Sequence, residues 1–120
     1  MKNSLVLAYL GDSIYEVYIR KYLIDKGIVK VNELQKESIK YVSANSQSKY
    51  LKELINNNFL KDEEISIVMT ARNHKNNHKP KNCDIITYKY ATGFEALIGY
   101  LYLNNNIKRI EEIIDFIVRR

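Results

Sequence analysis

Residues 84–103, DIITYKYATGFEALIGYLYL, decide the fold. Apolar side chains fall on every side of a helix drawn through them, so the one-sided pattern of a surface helix is absent. Such a helix must be central and largely enclosed. Glu95 stands in its middle, with Ala91, Thr92, Ile98 and Gly99 as its neighbours three and four residues away. None is a cation, so nothing on the same helix pairs with it. Burying even a neutral polar group without a partner costs about 2–7 kcal/mol. A group from elsewhere in the chain is therefore expected to neutralise Glu95.

A second stretch, residues 4–24, SLVLAYLGDSIYEVYIRKYLI, has the same character and carries Asp12. Ala8, Tyr9, Tyr15 and Glu16 surround Asp12 on the helix and supply no positive charge, whereas Glu16 has Arg20 four residues on. The four glycines stand at 11, 27, 93 and 99. Gly27 follows the helix as an ordinary terminator. The other three flank Asp12 and Glu95 inside helical patterns, where each costs about 1 kcal/mol relative to alanine. We infer a tight crossing of the two helices that brings Asp12 and Glu95 to one point. Two acids there need a cation between them, and oxygen donors suit Mg²⁺ or Mn²⁺. A shared proton, or a lysine from a third helix, would also serve.

The rest of the chain bounds the answer. At 120 residues with four glycines and one proline it reads as one all-α domain over residues 1–120. The net charge of +5 suits an anionic partner, although the abundance of Lys, Asn, Ile and Tyr throughout leaves that to charge distribution. The single cysteine, Cys83, excludes an internal disulfide. With no signal pattern and no membrane-spanning run, a cytoplasmic location is expected.

Along the chain, Asn32 is the expected N-cap of NELQKESIKYV, and Ser43 opens SANSQSKYLKELINNN with Ala44, Leu51, Leu54 and Ile55 facing the core. Asp62 is the expected N-cap of EEISIVMTARN. After the central helix, the asparagines 104–106 turn the chain into IKRIEEIIDFIVRR, whose apolar positions 107, 110, 113, 114 and 117 keep helical spacing. Six helices result.

The pattern breaks at residues 72–83, RNHKNNHKPKNC, where Arg72, Lys75, Lys79 and Lys81 occur without an acid. A cationic loop just before the Glu95 helix suits phosphate binding, and a solvated surface loop is the plain alternative. His74, His78 and Cys83 make a poor zinc set among lysines. Cys83 and Ser13 lack the base a nucleophile needs. Most tyrosines fit core and rim positions, with Tyr88 and Tyr90, beside the basic loop, as the exceptions that could stack on bases.

LAYLGDSIYEVYIRKYL and TGFEALIGYLYL together resemble the ribonuclease III catalytic domain, with SANSQSKYL between them where that family has a comparable helix. The likeness runs from about Val6 to Leu103. RNHK, PKN and TYKYATGFEALIGYL resemble in particular the short Mini-ribonuclease III branch, which lacks a separate double-stranded-RNA-binding domain. The resemblance implies an all-helical, homodimeric endonuclease in which Asp12 and Glu95 hold a catalytic Mg²⁺, with Mn²⁺ as a substitute. It departs from the wider family at Ala8 and Thr92, where acids are usual, which implies a thinner set of metal ligands. The short branch shares both departures.

The implied reaction is hydrolysis of double-stranded RNA to 5′-phosphate and 3′-hydroxyl ends. The implied substrate is the large-subunit (23S) ribosomal RNA precursor, and a ribosomal protein is a candidate helper. Arg72, Lys75, Lys79, Lys81 and Asn82 would supply the grip on RNA, which is read mainly through shape and phosphates. Two rivals remain: a ribonuclease III-like RNA-binding, ribosome-associated protein without catalysis, and a helical protein-interaction domain with an incidental basic loop.

Overall fold

The computed structural model describes residues 3–75 and 83–119. Six helices follow one another: α1 (Ser4–Asp25), α2 (Val31–Val42), α3 (Ala44–Asn56), α4 (Asp62–Arg72), α5 (Ile85–Leu103) and α6 (Ile107–Arg119). The expected all-α architecture of six helices is borne out among the described residues.

Helix α5 is the axle. Residues 91–94, 96–99 and 101 are all buried, and α1, α3, α4 and α6 pack around it. The all-round apolar pattern of the sequence thus has its physical reason: each face of α5 meets a different helix. Asp84 caps its start, accepting a hydrogen bond from the Thr87 backbone N–H at 2.8 Å, which satisfies one of the donors a helix start leaves free. The main core joins Tyr15, Ile19 and Leu23 of α1 to Leu51 and Leu54 of α3, Phe94, Leu97 and Ile98 of α5, and Ile110, Ile113 and Ile117 of α6. Tyr15 meets Phe94 edge-on with centroids 4.9 Å apart. Its hydroxyl donates to the Tyr41 carbonyl at 2.8 Å and so ties α2 to the core.

A buried ion pair fixes α6. The Arg109 guanidinium donates to both oxygens of Glu64 at 2.8 Å and to the Phe59 carbonyl at 2.6 Å. Glu64 also accepts from the Lys61 backbone N–H at 2.9 Å, closing the start of α4.

Several local expectations need correction. Lys30, not Asn32, precedes α2, and Lys61, not Asp62, precedes α4, so both expected caps sit inside the first turn. In α4 the backward-reaching Glu64 carboxylate does the capping that the Asp62 side chain was expected to do. Arg72 is the last residue of α4 rather than the start of a loop. Ile107 is exposed although its four apolar partners on α6 are buried, and Ala44 and Ile55 are only half-buried. The other boundaries hold: Gly27 takes a positive φ of 97° after α1, Ser43 caps α3 through its side chain, and Asn58 and Asn105 carry the turns with φ of 53° and 58°.

Candidate functional site

Helices α1 and α5 touch backbone to backbone. A methyl group on Gly11 would lie 1.7 Å from the Glu95 carbonyl oxygen, and one on Gly99 would lie 2.0 Å from that of Leu7. Only hydrogen fits at either place. Gly93 serves a different contact, against Val68 of α4, so two of the three helix glycines make the crossing that the sequence implied.

Near this crossing Asp12 comes close enough to Glu95 to act on its charge. They are not equally enclosed. Glu95 is half-buried, whereas Asp12 is exposed. The expectation that both acids are buried therefore fails for Asp12, because α1 is not covered on all sides: Val6, Tyr9, Val17 and Ile24 are also exposed on it. Glu16 pairs with Arg20 at 3.0 Å as its spacing suggested.

Burial, followed by the hydrogen bond and the like charge of Asp12, pushes the Glu95 carboxyl up to about 9. The Gln47 amide of α3 opposes the shift, donating to Glu95 Oε2 at 3.3 Å. Gln47 is itself buried, and its amide oxygen has no hydrogen-bond partner among the described residues. Without a cation the site thus keeps a proton on Glu95 at neutral pH.

These donors fit a hard divalent cation. Two carboxylates in contact raise the energy of the charged state unless positive charge joins them, and every donor is oxygen, the preference of Mg²⁺ and Mn²⁺. Asp12 and Glu95 are the residues that could hold it. Among the described residues no group of three or more His, Cys, Asp or Glu side chains forms a metal cluster. Ala8 and Thr92, the two positions where the resemblance implied acids in the wider family, supply no ligand. Ala8 is buried in a small apolar cluster with Leu7, Ile67, Ala71 and Ala96. Thr92 is also buried, and its hydroxyl donates back to the Tyr88 carbonyl at 2.9 Å. Ser13 is exposed, and no arrangement makes it a nucleophile.

The expected RNA-gripping residues divide. Lys79, Lys81 and Asn82 lie outside the described residues, as does His78. Lys75 is exposed. Arg72 is half-buried and engaged: its guanidinium lies 5.3 Å from the centroid of the Tyr90 ring and donates to the Tyr90 hydroxyl at 3.0 Å. Lys52 of α3 approaches the same ring at 5.0 Å. Tyr90 therefore gathers two cations, a role different from the base-stacking considered for it. Lys52 and Gln47 escape sequence reasoning because the contacts that give them meaning are long-range.

Comparison with known proteins places these features in context. The family model for the ribonuclease III domain matches residues 5–106. A mini-ribonuclease 3 from Brevibacillus brevis is 48% identical over 114 residues, covering 95% of this chain and 84% of that protein. Its counterpart from Clostridium tetani is 45% identical over 117 residues, covering 97% and 76%. A crystal structure of a Fusobacterium nucleatum protein superposes with a TM-score of 0.89 at 36% identity, covering 98% of this chain and 94% of that one.

Proposed function

The chain belongs to the ribonuclease III family of endoribonucleases, and we propose that it is a divalent-metal-dependent enzyme that cuts double-stranded RNA, with the 23S ribosomal RNA precursor as substrate. The observation that carries this is the contact of Asp12 with Glu95 at the glycine crossing of α1 and α5. No purely structural purpose is served by holding two acids together beside a half-buried position.

Asp12 and Glu95 would hold Mg²⁺, or Mn²⁺ in its place. The bound ion supplies Lewis-acid stabilisation of the scissile phosphate and a more acidic water. The protein's own residues do the rest. Glu95 would give up its proton to hold the ion, Asp12 would offer an exposed carboxylate, and the close α1–α5 crossing sets the spacing of the two helices that carry them. Lys75, with Lys79, Lys81 and Asn82, would hold the phosphate backbone, and Arg72, hydrogen-bonded to Tyr90, would add a further cation. Hydrolysis would leave 5′-phosphate and 3′-hydroxyl ends.

A homodimer is part of this reading. Val6, Tyr9, Val17 and Ile24 recur along one exposed face of α1, with Tyr9 82% exposed, and Val31 and Ile39 of α2 continue the apolar surface. A two-fold interface is self-complementary, so one such face can serve both copies. A ribosomal protein remains a candidate helper.

The experiment is incubation of an end-labelled RNA duplex and a 23S precursor fragment with the protein and Mg²⁺. Cleavage with 5′-phosphate ends, abolished by chelation and restored by Mg²⁺ or Mn²⁺, supports the reading. The small donor set left by Ala8 and Thr92 favours one rival, an RNA-binding protein without catalysis. Salt-sensitive duplex binding with no cleavage under either metal would establish that rival instead.

A further inference from the structure

Gln47 lies on α3, remote in sequence from both acids, and only 2% of it is exposed. Its amide nitrogen donates twice, to the Val42 carbonyl at 3.0 Å and to Glu95 Oε2 at 3.3 Å. Val42 is the last residue of α2, where a helix leaves its carbonyls without internal partners. Ser43 then turns the chain with an extended backbone (φ −63°, ψ 154°) into α3, which brings the Val42 carbonyl within reach of Gln47 one turn later. A carbonyl can only accept, so it dictates which end of the amide is nitrogen. Glu95 consequently faces a fixed donor.

That arrangement is an odd choice for packing alone. The Gln47 amide oxygen is buried and has no hydrogen-bond partner among the described residues, an unfavourable state for a polar atom. A leucine or methionine would fill similar space without it. The neighbouring α3 residues Leu51 and Leu54 show that apolar side chains suit this face.

We propose that Gln47 is a positioning residue: the α2–α3 junction, acting through the Val42 carbonyl and the Gln47 amide, fixes the Glu95 carboxylate in the orientation it needs to take a divalent cation with Asp12. The proposal rests on reading that acid pair as a metal site. Groups that orient metal ligands from behind govern affinity by about 10–100-fold in other metal sites. Here the orienting group comes from a third helix, so the site is built by α1, α3 and α5 together.

The test measures Mn²⁺ binding to the RNA-free protein by calorimetry, with melting temperature recorded in parallel, for wild type, Glu95→Gln, Gln47→Leu and Gln47→Met. The expected result is measurable binding by wild type and none by Glu95→Gln. Both Gln47 variants should melt cooperatively yet bind Mn²⁺ about 10-fold or more weakly. Single-turnover cleavage should slow correspondingly while the KM for duplex RNA stays unchanged. If Glu95→Gln loses the metal but both Gln47 variants bind it as wild type does, Gln47 is only a packing residue and the proposal is overturned. Failure of both Gln47 variants to fold would overturn it as well, by showing that the amide holds the fold. Absence of Mn²⁺ binding in wild type would remove the acid-pair reading itself, and this proposal with it.

Discussion

Gly11 on α1 lies against the Glu95 backbone on α5, and beside that contact the Asp12 carboxylate acts on the Glu95 carboxyl. The helices approach there closer than any side chain at Gly11 would allow. On the proposed reading, stability, metal binding and catalysis are coupled at this one crossing.

The crossing should be intolerant of any added atom. Gly11→Ala and Gly99→Ala place a methyl group against backbone carbonyls, which cannot swing aside, so each is expected to lose about 3 kcal/mol or more, at or beyond the upper end of ordinary overpacking. Gly93→Ala meets the Val68 carbonyl at 2.8 Å and its side chain at 3.1 Å, a milder conflict that should cost less. Denaturant melts of the three variants check the order.

The stability of the metal-free protein should fall with rising pH. Glu95 holds its proton up to about 9 when folded, against an ordinary value of 4.5. The folded state therefore binds more protons across that window. The resulting stabilisation is fully present below pH 4.5 and is lost as pH rises through 9. Glu95→Gln should abolish this slope and stabilise the metal-free protein at pH 8 by about 1–3 kcal/mol, after allowing for screening at a half-buried site. Mg²⁺ should raise the melting temperature of wild type and leave that of Glu95→Gln unmoved. Thermal melts against pH, with and without Mg²⁺, provide the check.

The buried pair of Arg109 and Glu64 should matter to folding alone. Burial would raise the Glu64 carboxyl, but hydrogen bonds from Arg109 and the Lys61 N–H outweigh it and hold the group below its usual range. Arg109→Met leaves that carboxylate buried without its cation and is expected to cost about 3–5 kcal/mol. Cleavage by the fraction that stays folded at low temperature should keep its wild-type rate, as chemical denaturation and kinetics on one preparation will show.

The two described basic residues of the RNA-gripping set should separate. Lys75→Ala is expected to weaken duplex binding and reduce the salt slope by about 1 without moving the melting temperature. Arg72→Ala removes the hydrogen bond and ring contact to Tyr90, so it should lower both affinity and stability. Binding isotherms at several salt concentrations, paired with melts, distinguish these outcomes.

What the sequence disclosed was what short-range rules govern. An apolar surround identified α5 as the enclosed helix, and glycines at 11 and 99 gave away the crossing because nothing else explains their cost. Periodicity could not tell that α1, equally apolar, leaves one face uncovered, so the exposure of Asp12 and Tyr9 went unforeseen. Caps at Asn32 and Asp62 missed by a residue or two, since a side chain reaching back, as Glu64 does, replaces the expected cap. Gln47 carried no local signal. Its partners, Val42 and Glu95, are joined to it only by the fold.

The central claim is that Asp12 and Glu95 perform metal-dependent cleavage and do not merely support the structure. The most direct measurement compares binding and single-turnover cleavage of one labelled RNA duplex in Mg²⁺ by wild type, Asp12→Asn and Glu95→Gln, each variant keeping shape while losing charge. The account predicts that all three bind the duplex with similar affinity, that wild type cuts it, and that each variant cuts at least about 100-fold more slowly, on the order of 3 kcal/mol in the barrier. Cleavage by either variant at the wild-type rate would contradict it.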